Sequence, residues 1–276
     1  MRRIDAHQHF WRLDARRGSW PPADLAAIYR DFLPEDLAPL LHAHGIDGTV
    51  LVQSLPSIED TIFLLQLAHD HPFIRGVVGW VDLKANDASQ QIERLARDTR
   101  LKGLRPMLQD LPDDDWIADP HLAPAIDAML QCGLSFDALV LPRHLPSLLA
   151  FAERYPALQI VIDHAAKPPI ASGEFASWAA DITRLAALPQ VVCKLSGMVT
   201  EAASTWSVAD LAPYAACVLQ AFGPARVIWG SDWPVVNLAS DYAGWLDATA
   251  QLLEGVSALE REQIMGLNAI HFYHLD

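Results

Sequence analysis

The sequence predicts a (β/α)8 barrel of the TIM type, an α/β fold forming a single domain over residues 1–276. Three observations predict it. Short apolar, β-rich runs recur along the chain, each is followed by a longer segment with helical spacing, and eight such pairs fit within 276 residues. Strands alternating with helices of this length give βα units and a parallel sheet. Eight units in a chain of this size favour closure into a barrel over an open, doubly wound sheet.

The strands are predicted at residues 4–9, 49–53, 75–81, 103–105, 134–139, 159–163, 191–195 and 227–230. The helices fall at 34–44, 58–71, 88–98, 121–131, 145–155, 175–187, 208–222 and 242–253. Pro34, followed by the acids Glu35 and Asp36, suits a helix N-terminus. Gly45 and Gly133 stand where left-handed caps end helices. The fourth strand, flanked by Gly103 and Pro106, carries the weakest pattern. Residues 12–31 are long for a connection, and Trp11, Trp20, Pro21 and Pro22 in and beside them read as an ordered lid.

Composition narrows the function. About half the chain is apolar (51%), enough for a large core. The net charge of −14 comes without any Lys/Arg block, so phosphate backbones and anionic lipid would be repelled. Nucleic acid and membrane surfaces are thereby excluded as expected partners. Cys132, Cys193 and Cys217 lie too far apart for a disulfide framework or a CxxC zinc site, and read as small buried hydrophobes in a reducing compartment. After Met1-Arg2-Arg3, Asp5, His7, Gln8 and His9 occupy the place where a signal peptide would be apolar, and no apolar run reaches membrane-spanning length. The expectation is a soluble, cytoplasmic protein, its oligomeric state left open.

Chemistry is expected where barrel strands end. In Asp5-Ala6-His7-Gln8-His9, side chains two apart share a face, so His7 and His9 stand together as metal ligands or proton-handling groups. They could equally bond loop carbonyls. The sixth strand runs straight into Asp163-His164, so Ile162 would fill the barrel while His164 reaches its mouth; Asp163 either pairs with a neighbouring base or caps the loop. In the eighth, Ile228, Gly230 and Asp232 share a face, and Gly230 leaves room for a carboxylate that acts on a metal, a water or a substrate. A helix N-cap is the alternative for Asp232. Arg105 and Lys194 end the fourth and seventh strands, where a cation could polarise a carbonyl or hold a substrate oxygen, or serve only an ion pair. Lys167 is a less specific candidate. Trp11, Trp20, Trp116 and Trp233 could wall one face of a sugar ring.

Taken in order, these segments resemble the amidohydrolase superfamily, in particular its sugar-lactonase branch (amidohydrolase-related family 2). The likeness rests on Asp5-Ala6-His7-Gln8-His9-Phe10-Trp11, Leu101-Lys102-Gly103-Leu104-Arg105 and Ile162-Asp163-His164-Ala165-Ala166-Lys167-Pro168. It continues through Lys194-Leu195-Ser196-Gly197, Trp229-Gly230-Ser231-Asp232-Trp233-Pro234 and Asn268-Ala269-Ile270-His271-Phe272-Tyr273, spanning essentially the whole chain. The resemblance implies an enzyme of sugar-acid catabolism, a hydrolase opening an aldonolactone such as L-fuconolactone to its sugar acid. Asp232 would activate the water, with His164 and Arg105 as further catalytic groups. Lys194, Lys167, Trp11, Trp116 and Trp233 would contact the substrate. His7, His9, His164 and Asp232 would offer ligands to one divalent ion, zinc by donor type, which lactone hydrolases of this branch do not require. The sequence departs from superfamily members with a firm metal site, because its fifth strand holds no histidine and its fourth ends without a carbamylatable lysine. Two rival readings are a metal-dependent decarboxylase of the same superfamily and a non-catalytic barrel that binds a sugar acid.

Overall fold

The computed structural model describes residues 2–16 and 19–275. Eight parallel strands follow one another in sequence order around the barrel. They are β1 (Ile4–Gln8), β2 (Gly48–Val52), β3 (Ile74–Gly79), β4 (Leu101–Leu104), β5 (Ser135–Ala138), β6 (Ile160–Ile162), β7 (Val191–Leu195) and β8 (Val227–Trp229). Each predicted strand is present, most of them shorter than expected by a residue or two at the C-terminal end. The released residues become the mouth of the barrel. Closure between β8 and β1 is made there, just beyond the strands: Asp232 N–H donates to the His7 carbonyl (2.8 Å), and His9 N–H to the Trp233 carbonyl (2.8 Å). The segments that close the barrel are therefore the ones that carry the candidate catalytic groups.

The outer layer holds α1 (Leu13–Arg16), α2 (Pro34–His44), α3 (Ile58–Asp70), α4 (Ala88–Leu95), α5 (Ala123–Cys132), α6 (Leu145–Arg154), α7 (Ala176–Ala186), α8 (Val208–Phe222) and α9 (Tyr242–Leu252). Local chemistry sets their ends. Pro34 opens α2, the Asp36 carboxylate accepts from Leu33 N–H (2.9 Å), and Gly45 stops the helix at φ 62°. Ser57 caps α3 by accepting from Asp60 N–H, and Gly133 stops α5 at φ 67°.

The helical pattern missed α10 (Ala258–Glu262), a π-turn (Gln263–Leu267) and α11 (Asn268–Phe272). These lead into the plug of the barrel floor, where Phe272, Tyr273 and Leu275 pack against Val50, Val161 and Ile228. Each fully buried aliphatic side chain there contributes roughly 1.5–3 kcal/mol. Among the described residues, no helix is long and apolar enough to cross a membrane.

Residues beyond β1 form the lid. Trp11 and Phe32 pair through N–H···O bonds of 2.9 and 3.0 Å, tying the lid's two ends together, and the Trp11 indole donates to the Arg30 carbonyl (2.8 Å).

Candidate active site

β1 carries an extra residue against β2, for the register shifts between Asp5 and Gln8. The bulge separates side chains that simple alternation would keep together. Asp5 turns away from the mouth, its carboxylate accepting from Ser231 N–H (2.8 Å) and the Tyr242 hydroxyl (3.1 Å); burial raises its pKa to about 6. His7 and His9 converge, their ring centroids 5.0 Å apart. Gly230 serves His7 rather than Asp232, since a Cβ there would lie 2.6 Å from the His7 Cβ.

The end of β6 departs further from expectation. The strand stops at Ile162, and His164, Ala165, Ala166 and Lys167 form a left-handed turn with φ between 50° and 60°. Each non-glycine residue in that region costs about 1–2 kcal/mol. The turn is held by the Trp178 indole donating to the Ala165 carbonyl (2.8 Å) and Lys167 N–H donating to the His164 carbonyl (2.8 Å). Its outcome is that His164 and Lys167, three apart, both face one cleft. Gly197 gives the His164 ring its space, because a Cβ there would fall 2.6 Å from Nδ1. Ser196 Oγ lies 2.8 Å from the same nitrogen.

Asp232, at φ 58°, presents Oδ1 to His9 Nε2 at 3.3 Å and to His7 Nε2 and His164 Nε2 at 3.8 Å each. Burial raises its pKa, but His164, a hydrogen bond with His9, and His7 outweigh that and hold the carboxyl below the ordinary carboxylate range. Burial lowers all three imidazoles, His164 to about 4. Burial thus biases the imidazoles towards neutrality, while their contacts bias Asp232 towards the carboxylate.

A second charge cluster lies directly beneath. Lys194 is fully buried, with Nζ 2.8 Å from Asp137, 3.0 Å from Asp163 and 3.2 Å from His7 Nδ1. Tyr273 donates to Asp137 (2.5 Å). Arg105 Nη1 reaches His7 Nε2 and Asp163 at 3.3 Å each, and Nη2 bonds the Gln53 carbonyl. Burial opposes ionisation of Asp163, yet Lys194, His7 and Arg105 bring its pKa well below the usual range. Lys194 thus does not occupy the substrate-contact position expected for it; it points inward, but one layer too deep.

The cleft above holds about 150 Å³ and is lined by His9, Arg105, His164, Lys167 and Asp232 on its reactive side. Trp20, Met107, Leu139 and Val235 supply apolar wall, and Ser54, Gln109 and Asp110 supply polar groups. Three expected tryptophans are absent from it. Trp11 and Trp233 are core residues packed edge-on against Phe32. Trp116 lines an adjoining cavity with Trp80, and Lys84 sits over its ring. Only Trp20 of the four tryptophans reaches the cleft. Ser54 and Gln109 carry no strand-end pattern, for they stand in the loops that follow β2 and β4.

Two overlapping donor sets could hold a metal, and both include His7. Ligand atoms of His7, His9 and Asp232 all lie within 4.8 Å of one another, whereas His164 groups instead with His7 and Asp163. Asp232 Oδ1 nevertheless faces all three imidazoles, 3.3 Å from His9 and 3.8 Å from His7 and His164. His9 Nδ1 lies 2.7 Å from the Val52 carbonyl, an acceptor only, so Nδ1 carries the proton. Its Nε2 lone pair then faces a carboxylate oxygen at 3.3 Å, a contact that needs a proton or a cation between the two. Burial opposes the proton, and two imidazoles with a carboxylate suit zinc.

Comparison with known families places the chain. A family model described as amidohydrolase matches residues 4–275. The chain belongs to the amidohydrolase family. This amidohydrolase is 56% identical to an L-fucono-1,5-lactonase of Burkholderia ambifaria, with 99% of the chain aligned to 96% of that protein. It is 40% identical to an L-fucono-1,5-lactonase of Burkholderia multivorans over the same shares of both. The crystal structure of an amidohydrolase from Burkholderia multivorans with bound zinc matches it over 100% of each chain, at TM-score 0.93 and 40% identity.

Proposed function

We propose that this amidohydrolase hydrolyses a small aldonolactone, of the class its Burkholderia relatives are named for, to the open-chain sugar acid. The observation that carries the reading is the Asp232 carboxylate, 3.3–3.8 Å from three imidazoles and lining the same cleft as Arg105 and Lys167. Asp232 accepts a proton from a water poised over the lactone carbonyl, and the oxygen left behind attacks the carbonyl carbon. Arg105 and His164 face the same cleft and steady the oxyanion as it forms. Collapse breaks the ring C–O bond, and Asp232 returns its proton to the departing ring oxygen. A carboxylic acid whose pKa is depressed is a weak base but a willing donor, which favours this second transfer.

His7, His9 and Asp232 are the residues that would hold a zinc ion, which when bound would polarise the carbonyl. Lys167 and the polar loop residues orient the substrate hydroxyls.

The test is a panel of aldonolactones assayed with and without chelator, alongside metal analysis of the purified protein. Opening of a 1,5-aldonolactone is the expected result. Activity that resists chelation would assign the chemistry to the side chains alone, and a panel left intact would reject the reading.

A further inference from the structure

Trp20 and Ser54 line the cleft from two different loops, and one side chain outside the cleft holds both. Arg16 is buried at 4% exposure behind that wall, beside Asp60 and Phe63. Its Nη1 donates to the carbonyls of Trp20 (3.0 Å) and Ser54 (3.3 Å). Its Nη2 donates to Ser54 Oγ (2.9 Å) and Asp60 Oδ1 (3.3 Å). Asp60, in the first turn of α3, completes the bracket by accepting from Ser54 N–H (3.4 Å). The guanidinium also lies over the Trp11 ring, 5.3 Å from its centroid. A buried ion pair that meets three acceptors in two loops and a fourth on α3 is costly to break, and Arg alone among side chains has the fork to make it.

Trp20 is 37% exposed, the one tryptophan of the cleft wall, and keeps its apolar surface uncovered beside Met107, Leu139 and Val235. A sugar ring has one face rich in C–H groups, which an indole covers well. We propose that Arg16 is a positioning residue for substrate recognition: it fixes Trp20 as the surface on which the lactone ring seats, with Ser54 set beside it. The identity of the ligand rests on the lactonase reading above; the clamp itself rests on the contacts of Arg16.

Arg16→Lys keeps a positive charge opposite Asp60 but lacks the fork needed to hold Trp20 and Ser54 together. It is expected to raise KM for the aldonolactone roughly tenfold while kcat stays within about threefold, because the reactive groups on the barrel strands are untouched. Trp20→Ala, at a partly exposed position that should not impair folding, is expected to do the same. The Arg16→Lys/Trp20→Ala double variant should then fall well short of the product of the two single effects, its small excess over Trp20→Ala being the lost placement of Ser54. A general loss of stability would instead multiply the two effects or lower kcat. Unchanged KM in either single variant, a fall in kcat alone, or multiplicative effects would overturn the proposal. If the native chain opened no lactone, the reading of function would fail separately, and the same shifts read as Kd for sugar acids by calorimetry would still decide the role of Arg16.

Discussion

Asp232 and Asp163 are both buried carboxylates just beyond barrel strands, and neighbouring bases hold both ionised. Their partners differ. Asp232 faces three imidazoles that burial biases towards neutrality and opens onto the cleft, whereas Asp163 faces Lys194, Arg105 and His7 in a sealed layer below. Neutral imidazoles beside an open cleft leave the upper carboxylate able to take and return a proton. Fixed cations deny that to the lower one and turn it into scaffolding for His7 and Arg105. The same residue type becomes reactive or structural according to depth in the barrel and the mobility of its partners' protons.

The largest effect that would sharpen this contrast is on stability. Lys194→Met strands Asp137 and Asp163 without their shared countercharge and should cost about 3–5 kcal/mol in denaturant unfolding. Lys167→Met, which removes only a rim ion pair with Glu201 (3.6 Å), should cost under about 1 kcal/mol and act on KM. Equal losses would break the distinction between the layers.

Acid should weaken the metal-free protein from the upper layer. The folded pKa of His164, about 4, lies below its ordinary 6.5, so between those values the unfolded chain binds more protons. This contribution is complete above pH 6.5 and lost as pH falls towards 4, up to about 3 kcal/mol from this group. Asp232, also depressed, adds loss of the same sign below the ordinary carboxylate pKa of 3.8. Because Asp5, raised to about 6, acts with the opposite sign in the same window, the readout is the difference in thermal unfolding between the native chain and His164→Gln across pH 4–7; a difference that does not change with pH would contradict the neutral-imidazole description.

Gly197→Ala places a Cβ against the His164 ring at a positive φ, and should cost roughly 1–2 kcal/mol of stability and lower kcat several-fold. Steady-state kinetics and a melting curve check both. Smallest of all, Trp116→Ala should leave KM for a monosaccharide lactone within about twofold, because the ring lies outside the cleft. A larger rise would return Trp116 to the binding wall.

Much of the barrel was legible in the sequence because apolar periodicity is a local property: every strand and the main helix of every unit is present, and α2 and α8 match to the residue. The floor plug was not, since a π-turn interrupts its helical spacing and its partners are strands far away in sequence. At the site, His7, His9, His164, Asp232 and Arg105 were readable from strand-end position. Depth was not. Alternation says that Lys194 points inward and cannot say that His7 lies above it. It also misses the bulge that turns Asp5 outward and the left-handed turn after Ile162 that aims His164. Arg16 carried no signal at all, because its value comes from four contacts made in three dimensions.

The central claim is that Asp232 carries the proton in lactone opening. Turnover of a 1,5-aldonolactone by Asp232→Asn, in protein shown by circular dichroism to be folded, tests it most directly. A fall in kcat of about 10³-fold or more, without loss of fold, is the predicted result. Turnover near that of the unaltered chain would contradict it and move the base elsewhere in the cleft.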